Sequence, residues 1–67
     1  MYLTTMFKET PDGSYKAEIH QDLIGYSVDY FKPTGEKIKT ETFTGKSIHF
    51  VESAVTNWID GIKTLNG

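Results

Sequence analysis

Apolar residues recur at helical spacing over one long segment of the chain, from Ser47 to Leu65. At 100° per residue, the apolar side chains fall on one arc and polar side chains fill the other, as in an amphipathic helix. The apolar set is Ile48, Val51, Ala54, Val55, Trp58, Ile59, Ile62 and Leu65. The sequence therefore predicts a helix over 47–65 that begins at an N-cap serine and packs against a partner surface.

Residues 14–20 and 26–32 alternate between apolar and polar side chains with the period of two that a half-buried strand shows. We expect one set of their side chains to face the helix, namely Tyr15, Ala17, Ile19, Tyr26, Val28 and Tyr30. Residues 2–9 contain threonines and aromatics that suit a strand, but the pattern does not identify their buried side. Residues 36–44 form the most polar segment, and a lysine-rich strand of this kind is typical of a sheet edge.

Short turns join the predicted strands. Residues 10–13 and 32–35 both place proline second and glycine fourth, which is typical of a turn with a left-handed glycine. We expect Leu23 and Ile24, in the link between the second and third strands, to cover the end of the core. The sequence thus predicts an α+β protein, a four-stranded antiparallel β-meander followed by one C-terminal amphipathic helix packed on one sheet face. We expect this ββββα fold to form a single domain over residues 1–67.

The length of the chain adds a constraint, because 67 residues leave little room for a core. A domain of about 60 residues buries only roughly 60% of its extended surface, so its stability margin is thin. Small domains usually gain stability from disulfides, a metal or oligomerisation, and this chain has no cysteine. The sequence therefore favours a homo-oligomer, most simply a homodimer.

Nine acidic residues against seven basic ones give a formal net charge of −2, and every basic residue is a lysine. Without arginine the chain lacks the forked donor that reads guanine edges, which argues against sequence-specific recognition of duplex DNA. No apolar run is long enough to span a bilayer, and residues 1–10 lack the features of a signal peptide. We expect a soluble protein of the cytoplasm with no membrane among its partners.

The titratable side chains show no pattern of a catalytic or metal site. His20 falls on the outward side of its predicted strand and His49 in the first turn of the helix, and neither has the spacing of a known metal motif. The carboxylates to consider as acids or bases are Glu18, Asp29, Glu41 and Asp60. Pairing with lysines accounts for them, because so small a domain has little room for a catalytic pocket. We predict solvated histidines, no catalytic residue, no metal ligand and no cofactor, and we do not expect an enzyme.

The outward side of the predicted sheet combines aromatic rings with lysines, which proteins use together to bind single-stranded nucleic acid. The residues that carry this hypothesis are Lys16, Phe31, Lys37, Lys39 and Phe43. Carboxylates at Glu18, Asp29 and Glu41 interrupt this surface. The alternative is a set of alternating surface charges with two aromatic rings buried at a dimer seam, and both interpretations stay open.

Beside its main apolar arc, the predicted helix has a second flank that is a candidate oligomer interface. Phe50, Ala54 and Gly61 lie on this flank, and a glycine within a helix costs about 1 kcal/mol relative to alanine. We expect Ala54 and Gly61 to let a second element approach closely while Phe50 fills a partner pocket. The alternative is that Gly61 marks the fraying of the helix before its last turn.

Two resemblances add to this interpretation. The order of four strands and a helix, over most of the chain, resembles the module of the positive-cofactor-four and Whirly types of single-stranded DNA-binding proteins, which dimerise through their helices. The segments GYSVDYF (25–31), ETFTGKSIHFVESAVTNW (41–58) and DGI (60–62) resemble small uncharacterised proteins of marine cyanobacterial viruses, the cyanophages. The second resemblance implies a viral protein in the cytoplasm of a host cell and brings no function with it.

The leading hypothesis is a non-catalytic binding module that binds single-stranded nucleic acid, such as single-stranded DNA, as a homodimer. The alternative is a small acidic viral protein that binds and modulates a host protein. The two hypotheses differ in the surface that matters. Nucleic acid would use the lysine-bearing side of the sheet, whereas a host protein would use the exposed carboxylates and the flank at Phe50 and Gly61.

Overall fold

The computed structural model describes residues 1–65, which form four strands followed by one helix. The elements are β1 (Tyr2–Thr10), β2 (Gly13–Gln21), β3 (Gly25–Phe31), β4 (Lys37–Thr44) and α1 (Ile48–Ile59). All neighbouring strands pair antiparallel, in the order β1-β2-β3-β4. The predicted ββββα meander is therefore confirmed.

Side-chain and backbone hydrogen bonds close the hairpins. In the link from β2 to β3, the Asp22 carboxylate accepts hydrogen bonds from the N–H groups of Ile24 and Gly25 at 3.0 and 2.9 Å. In the link from β3 to β4, Gly35 adopts a φ of +94° and donates its N–H to the Lys32 carbonyl at 2.9 Å. That left-handed conformation favours glycine, as the sequence predicted for this turn.

The core lies between α1 and one face of the sheet. Its buried residues are Ala17, Ile19, Val28, Tyr30, Val51, Val55 and Trp58. The Trp58 ring meets the Tyr30 ring edge-on, with 4.9 Å between the ring centroids. Each fully buried aliphatic side chain contributes about 1.5–3 kcal/mol, so these contacts carry most of the stability of the small domain. The predicted helix-facing sides of β2 and β3 are confirmed.

The link between β2 and β3 does not cover the core as predicted. Leu23 is fully exposed and Ile24 is 70% exposed. Because the Asp22 turn holds the link beyond the end of the sheet, both apolar side chains point away from the core instead of closing it.

The helix is shorter than predicted, because a backbone motif ends it at Ile59. The N–H of Gly61 donates to the Trp58 carbonyl at 3.1 Å and the N–H of Ile62 donates to the Asn57 carbonyl at 2.8 Å, which is the Schellman pattern of a helix C-terminus. Gly61 has a φ of +78°, which this motif requires. Ile62, predicted to lie in the core, is 76% exposed.

The position of Gly61 also corrects the argument for close approach of a second element. Gly61 lies after the end of the helix, so the free-energy cost of a glycine within a helix does not apply to it. A Cβ atom added at Gly61 would have no neighbouring atom within 4 Å, so no second element packs closely against this residue within the described chain. Ala54 is half-buried and Phe50 is 48% exposed. The structural reason for including Gly61 in the interface was wrong, and an oligomer interface at Phe50, Ala54 and Gly61 stays a prediction.

An irregularity in the pairing of β4 changes which of its side chains face the helix. The register shifts between Tyr30 and Phe31, which pair with Lys39 and Lys37, so one extra residue, Ile38, lies between the two pairs. An extra residue in one strand reverses the alternation on one side of it. The prediction that Lys37 and Lys39 share a face is therefore wrong.

Candidate binding face on the open side of the sheet

On the face of the sheet opposite α1, which we call the open face, three rows of side chains cross all four strands. Residues directly opposite each other on antiparallel strands share a face, so the register assigns each row. The first row is Phe7, Lys16, Phe31 and Lys37; the second is Thr5, Glu18, Asp29 and Thr40; the third is Tyr2, His20, Ser27 and Thr42. The open face thus has an aromatic and basic row, a central acidic row and a polar row with one histidine.

The first row alternates aromatic rings with lysines across all four strands. The Lys16 Nζ lies 5.0 Å from the centroid of the Phe31 ring, and the Lys37 Nζ lies 6.0 Å from it on the other side of the row. These distances are those of cation–π contacts. Phe7 is 58% exposed at the end of the row. The row, which we call the aromatic–lysine row, presents flat rings and positive charge side by side.

The structure divides the five residues predicted to bind nucleic acid between the two faces of the sheet. Lys16, Phe31 and Lys37 lie together on the open face, whereas Lys39 and Phe43 pair with helix-facing residues of β3. The Phe43 ring packs against the core and meets the Phe50 ring edge-on at 6.0 Å. The prediction that Lys39 and Phe43 belong to the outward surface is wrong, because the extra residue in β4 turns them toward α1.

Two aromatic residues of the open face were missed at the level of sequence. Tyr2 and Phe7 belong to β1, whose apolar side chains fall on both parities, so the pattern gave no face for either. The hairpin carries the missing signal. Counting outward from Thr10 and Gly13 pairs Phe7 with Lys16, and Lys16 was already assigned to the outward side.

Charged groups converge at the centre of the open face. The His20 Nε2 lies 3.7 Å from the Glu18 Oε1 and 3.4 Å from the Asp29 Oδ2. Lys16 pairs with Glu18 at 3.2 Å, and Lys37 pairs with Asp29 at 3.6 Å. The lysines of the aromatic–lysine row are thus balanced by the carboxylates of the next row.

His20 and His49 differ in environment, although both were predicted to be solvated. The His49 side chain is 90% exposed, in agreement with the prediction. The His20 side chain is only 30% exposed, and its Nε2 is buried without a hydrogen-bond partner. Counting back from Asp22 and Gly25 pairs Glu18 with Asp29, and this register is the signal that would have placed both carboxylates beside His20.

A second polar cluster lies on the helix side of the sheet and has a structural role. Lys63 and Tyr30 both donate hydrogen bonds to the Glu41 Oε1, at 2.6 and 2.8 Å. Burial raises the pKa of Glu41, but the hydrogen bonds from Lys63 and Tyr30 outweigh it and hold the pKa below its ordinary value. Burial, together with the bond to Glu41, raises the pKa of Tyr30. The hydrogen bond from Lys63 attaches the segment that follows α1 to Glu41 of β4.

A cavity of about 350 Å³ lies beside the C-terminal end of α1. Its lining residues are Lys8, Thr10, Asp12, Tyr15, Ile38, Trp58 and Leu65. The Lys8 Nζ donates to the Trp58 carbonyl at 2.9 Å and lies 5.4 Å from the centroid of the Trp58 ring. Lys8 therefore stabilises the end of the helix, and this cavity brings together no group of the open face.

The chain matches no protein-family model, no curated protein and no solved structure. The likeness to the positive-cofactor-four and Whirly modules and the likeness to cyanophage proteins therefore stay predictions. Within residues 1–65, no helix combines the length and the apolar character that crossing a membrane requires. The open face is the feature of the molecule from which a function is proposed below.

Proposed function

We propose that the protein is a non-catalytic binding module whose open face binds single-stranded nucleic acid. The observation that carries this proposal is the aromatic–lysine row, in which Phe7, Lys16, Phe31 and Lys37 alternate across the sheet. Unpaired bases of any sequence can stack on aromatic rings, and lysines beside the rings neutralise the phosphates. A row that crosses four strands offers two rings, with a lysine next to each.

The neighbouring carboxylates weaken this binding without preventing it. Lys16 and Lys37 pair with Glu18 and Asp29, but both lysine side chains remain partly exposed, at 39% and 53%. Exposed ion pairs contribute about 0–1 kcal/mol, so a phosphate can compete for the lysines at little cost. The net charge of −2 and the absence of arginine favour modest affinity, little sequence preference and strong dependence on salt.

The test is a titration of a labelled oligothymidylate with the purified chain, followed by fluorescence anisotropy at two salt concentrations. If Lys16 and Lys37 each neutralise one phosphate, the affinity should fall about sevenfold between ~50 mM and ~200 mM salt. The absence of binding at the lower salt concentration would rule out the proposal.

Two exposed phenylalanines provide a matched comparison for stacking. Phe7 on the open face is 58% exposed and Phe50 on α1 is 48% exposed, so replacing either by leucine removes a ring of similar exposure. Because stacking contributes about 1–3 kcal/mol per base, Phe7→Leu should weaken oligonucleotide binding at least about fivefold. Phe50→Leu should leave the affinity unchanged. Equal losses in both variants would contradict binding by the open face.

We also propose that the chain self-associates, and a specific observation favours one end of the molecule as the contact. Leu23 and Ile24 are 104% and 70% exposed, and Phe50 is 48% exposed. The backbone of Gly45, just before α1, donates to the Ile24 carbonyl at 3.4 Å, so the hairpin and the start of the helix lie at the same end. Exposed apolar side chains grouped in this way favour contact with another protein surface, here a second copy of the chain.

Sedimentation velocity tests this second proposal. The double variant Leu23→Ser, Ile24→Ser should shift the chain from dimer to monomer, because it removes two highly exposed apolar side chains of that end. Ile62→Ser is the matched control, since Ile62 is 76% exposed at the opposite end of α1. A wild-type chain that is monomeric at high micromolar concentration would contradict self-association. A nuclease-treated pull-down that depends on Leu23 and Ile24 would instead indicate a different protein partner.

A further inference from the structure

Three side chains at the centre of the open face direct potential metal ligands toward one point. One ligand atom each of Glu18, His20 and Asp29 lies within 4.8 Å of the other two, and the His20 Nε2 faces the Glu18 Oε1 and the Asp29 Oδ2. They belong to β2 and β3, the two central strands of the sheet. Neighbouring strands on both sides hold these positions, so the three side chains extend from a rigid base.

Each carboxylate has one oxygen held by a neighbour and the other facing His20. The Glu18 Oε2 contacts the Lys16 Nζ at 3.2 Å. The Asp29 Oδ1 accepts a hydrogen bond from the Thr40 hydroxyl at 2.6 Å and lies 3.6 Å from the Lys37 Nζ. Outer partners of this kind orient the ligands of metal sites and are part of their design. The oxygens that face the His20 Nε2 are therefore the ones left for a further partner.

The His20 ring supplies an independent indication that a partner belongs at this point. Its Nε2 is buried and has no hydrogen-bond partner, although buried polar atoms in folded proteins almost always have one. The distances of 3.7 and 3.4 Å to the two carboxylates are too long for good hydrogen bonds. The Tyr2 ring packs edge-on against the imidazole, with 5.8 Å between the ring centroids, and Nε2 is the ring nitrogen that faces the two carboxylates.

We propose that Glu18, His20 and Asp29 bind a divalent transition-metal ion of the Zn²⁺ type. Ligands about 2.0–2.2 Å from a tetrahedral zinc ion lie roughly 3.3–3.6 Å from each other, which is close to the distances from His20 to the carboxylates. One imidazole nitrogen with two carboxylates favours zinc over magnesium, which prefers oxygen ligands alone. Two carboxylates balance the charge of the ion, and three protein ligands leave a fourth position for water or another ligand.

This site goes beyond the proposed function and is tested without nucleic acid. Calorimetric titration of the full chain with Zn²⁺ should give one ion per chain, and Co²⁺ should give the visible absorption of a tetrahedral site. His20→Gln should weaken Zn²⁺ binding at least about tenfold, since even outer partners of metal ligands cause losses of that size. Glu18→Gln and Asp29→Asn should each do the same, while Mg²⁺ should give no heat.

His49→Gln is the matched control, because His49 also lies beside a carboxylate, 3.6 Å from Glu52, but is 90% exposed. This variant should bind Zn²⁺ as the wild-type chain does. Thermal unfolding of the His20→Gln variant without metal checks that the fold is retained. A wild-type chain that binds no Zn²⁺ at micromolar concentration would overturn the proposal, as would equal losses in the His20 and His49 variants.

Discussion

Two residues determine where the only helix among the described residues begins and ends. The Ser47 hydroxyl accepts the Phe50 N–H at 3.2 Å, which satisfies one of the free donors of the first turn. Gly61 ends the helix in the left-handed conformation of a Schellman motif. Because α1 supplies Val51, Val55 and Trp58 to the core, these ends set how much of the sheet the helix covers.

Replacement of Gly61 tests the backbone explanation of its position. Gly61→Ala should lower the free energy of unfolding by about 1–2 kcal/mol, because a side chain at positive φ is strained even where space is open. In so small a domain this corresponds to a fall in melting temperature of about 4–8 °C per kcal/mol. Gly61→Asn should cost less, since asparagine tolerates this conformation better. Thermal unfolding at several protein concentrations measures both, and an unchanged alanine variant would argue against the motif.

Among the secondary-structure elements, β4 determines which lysines and rings are available on each face. Because of its extra residue, Lys37 lies on the open face while Lys39, Glu41 and Phe43 lie opposite helix-facing residues of β3. Glu41 uses this position to accept hydrogen bonds from Tyr30 and from Lys63 after the helix. β4 therefore contributes side chains to the core on one face of the sheet and to the proposed binding surface on the other face.

The Glu41 cluster predicts a dependence of stability on pH. The pKa of Glu41 is lower in the folded chain than its unfolded value of about 4.3, so its contribution is complete above that pH and is lost as the pH falls through the folded pKa. Glu41→Gln should lower the free energy of unfolding at neutral pH by about 1 kcal/mol. In this variant, the free energy of unfolding should also fall less steeply than in the wild-type chain as the pH drops below about 4.5. Urea unfolding between pH 3 and 7 measures this difference.

A control for that experiment is Glu36→Gln. Lys32 likewise lowers the pKa of Glu36 through a hydrogen bond, but this pair lies at the β3 to β4 turn with both side chains largely exposed. Water and salt screen such a pair, so its loss should change the pH profile much less. Equal changes in the two variants would show that the partly buried hydrogen bonds of Glu41 contribute no more to stability than an exposed ion pair does.

The strands differ in how far their sequences predict them. The alternation of apolar and polar residues in β2 and β3 and the glycines of the turns are local signals. They are enough to predict these strands and the hairpins that join them. The extra residue of β4 and the side of β1 cannot be found in this way, since pairing with a neighbouring strand determines them. Alternation within β2 and β3 places Glu18, His20 and Asp29 on the outward side, but their convergence on one point is a property of the register between these two strands.

The molecule as a whole has one covered and one uncovered sheet face, which gives its surfaces separate roles. α1 occupies one face and forms the core, and the other presents the aromatic–lysine row beside the proposed metal site. Lys16 and Lys37 belong to both proposals, as phosphate contacts in the first and as outer partners of Glu18 and Asp29 in the second. A divalent ion held by these carboxylates would add positive charge beside the aromatic–lysine row and favour phosphate binding there.

The most direct test of the open face compares two lysines of β4 that differ by two positions in sequence. Lys37 lies on the open face and Lys39 on the helix side, and replacing either by glutamine removes the same charge. Both variants are first checked for folding by thermal unfolding and then titrated with oligothymidylate across a range of salt concentrations.

Lys37→Gln should weaken binding severalfold and lower the slope of log affinity against log salt from about 1.4 to about 0.7. Lys39→Gln should retain the wild-type affinity and slope. Equal effects of the two substitutions, or a larger effect at Lys39, would contradict nucleic-acid binding by the open face.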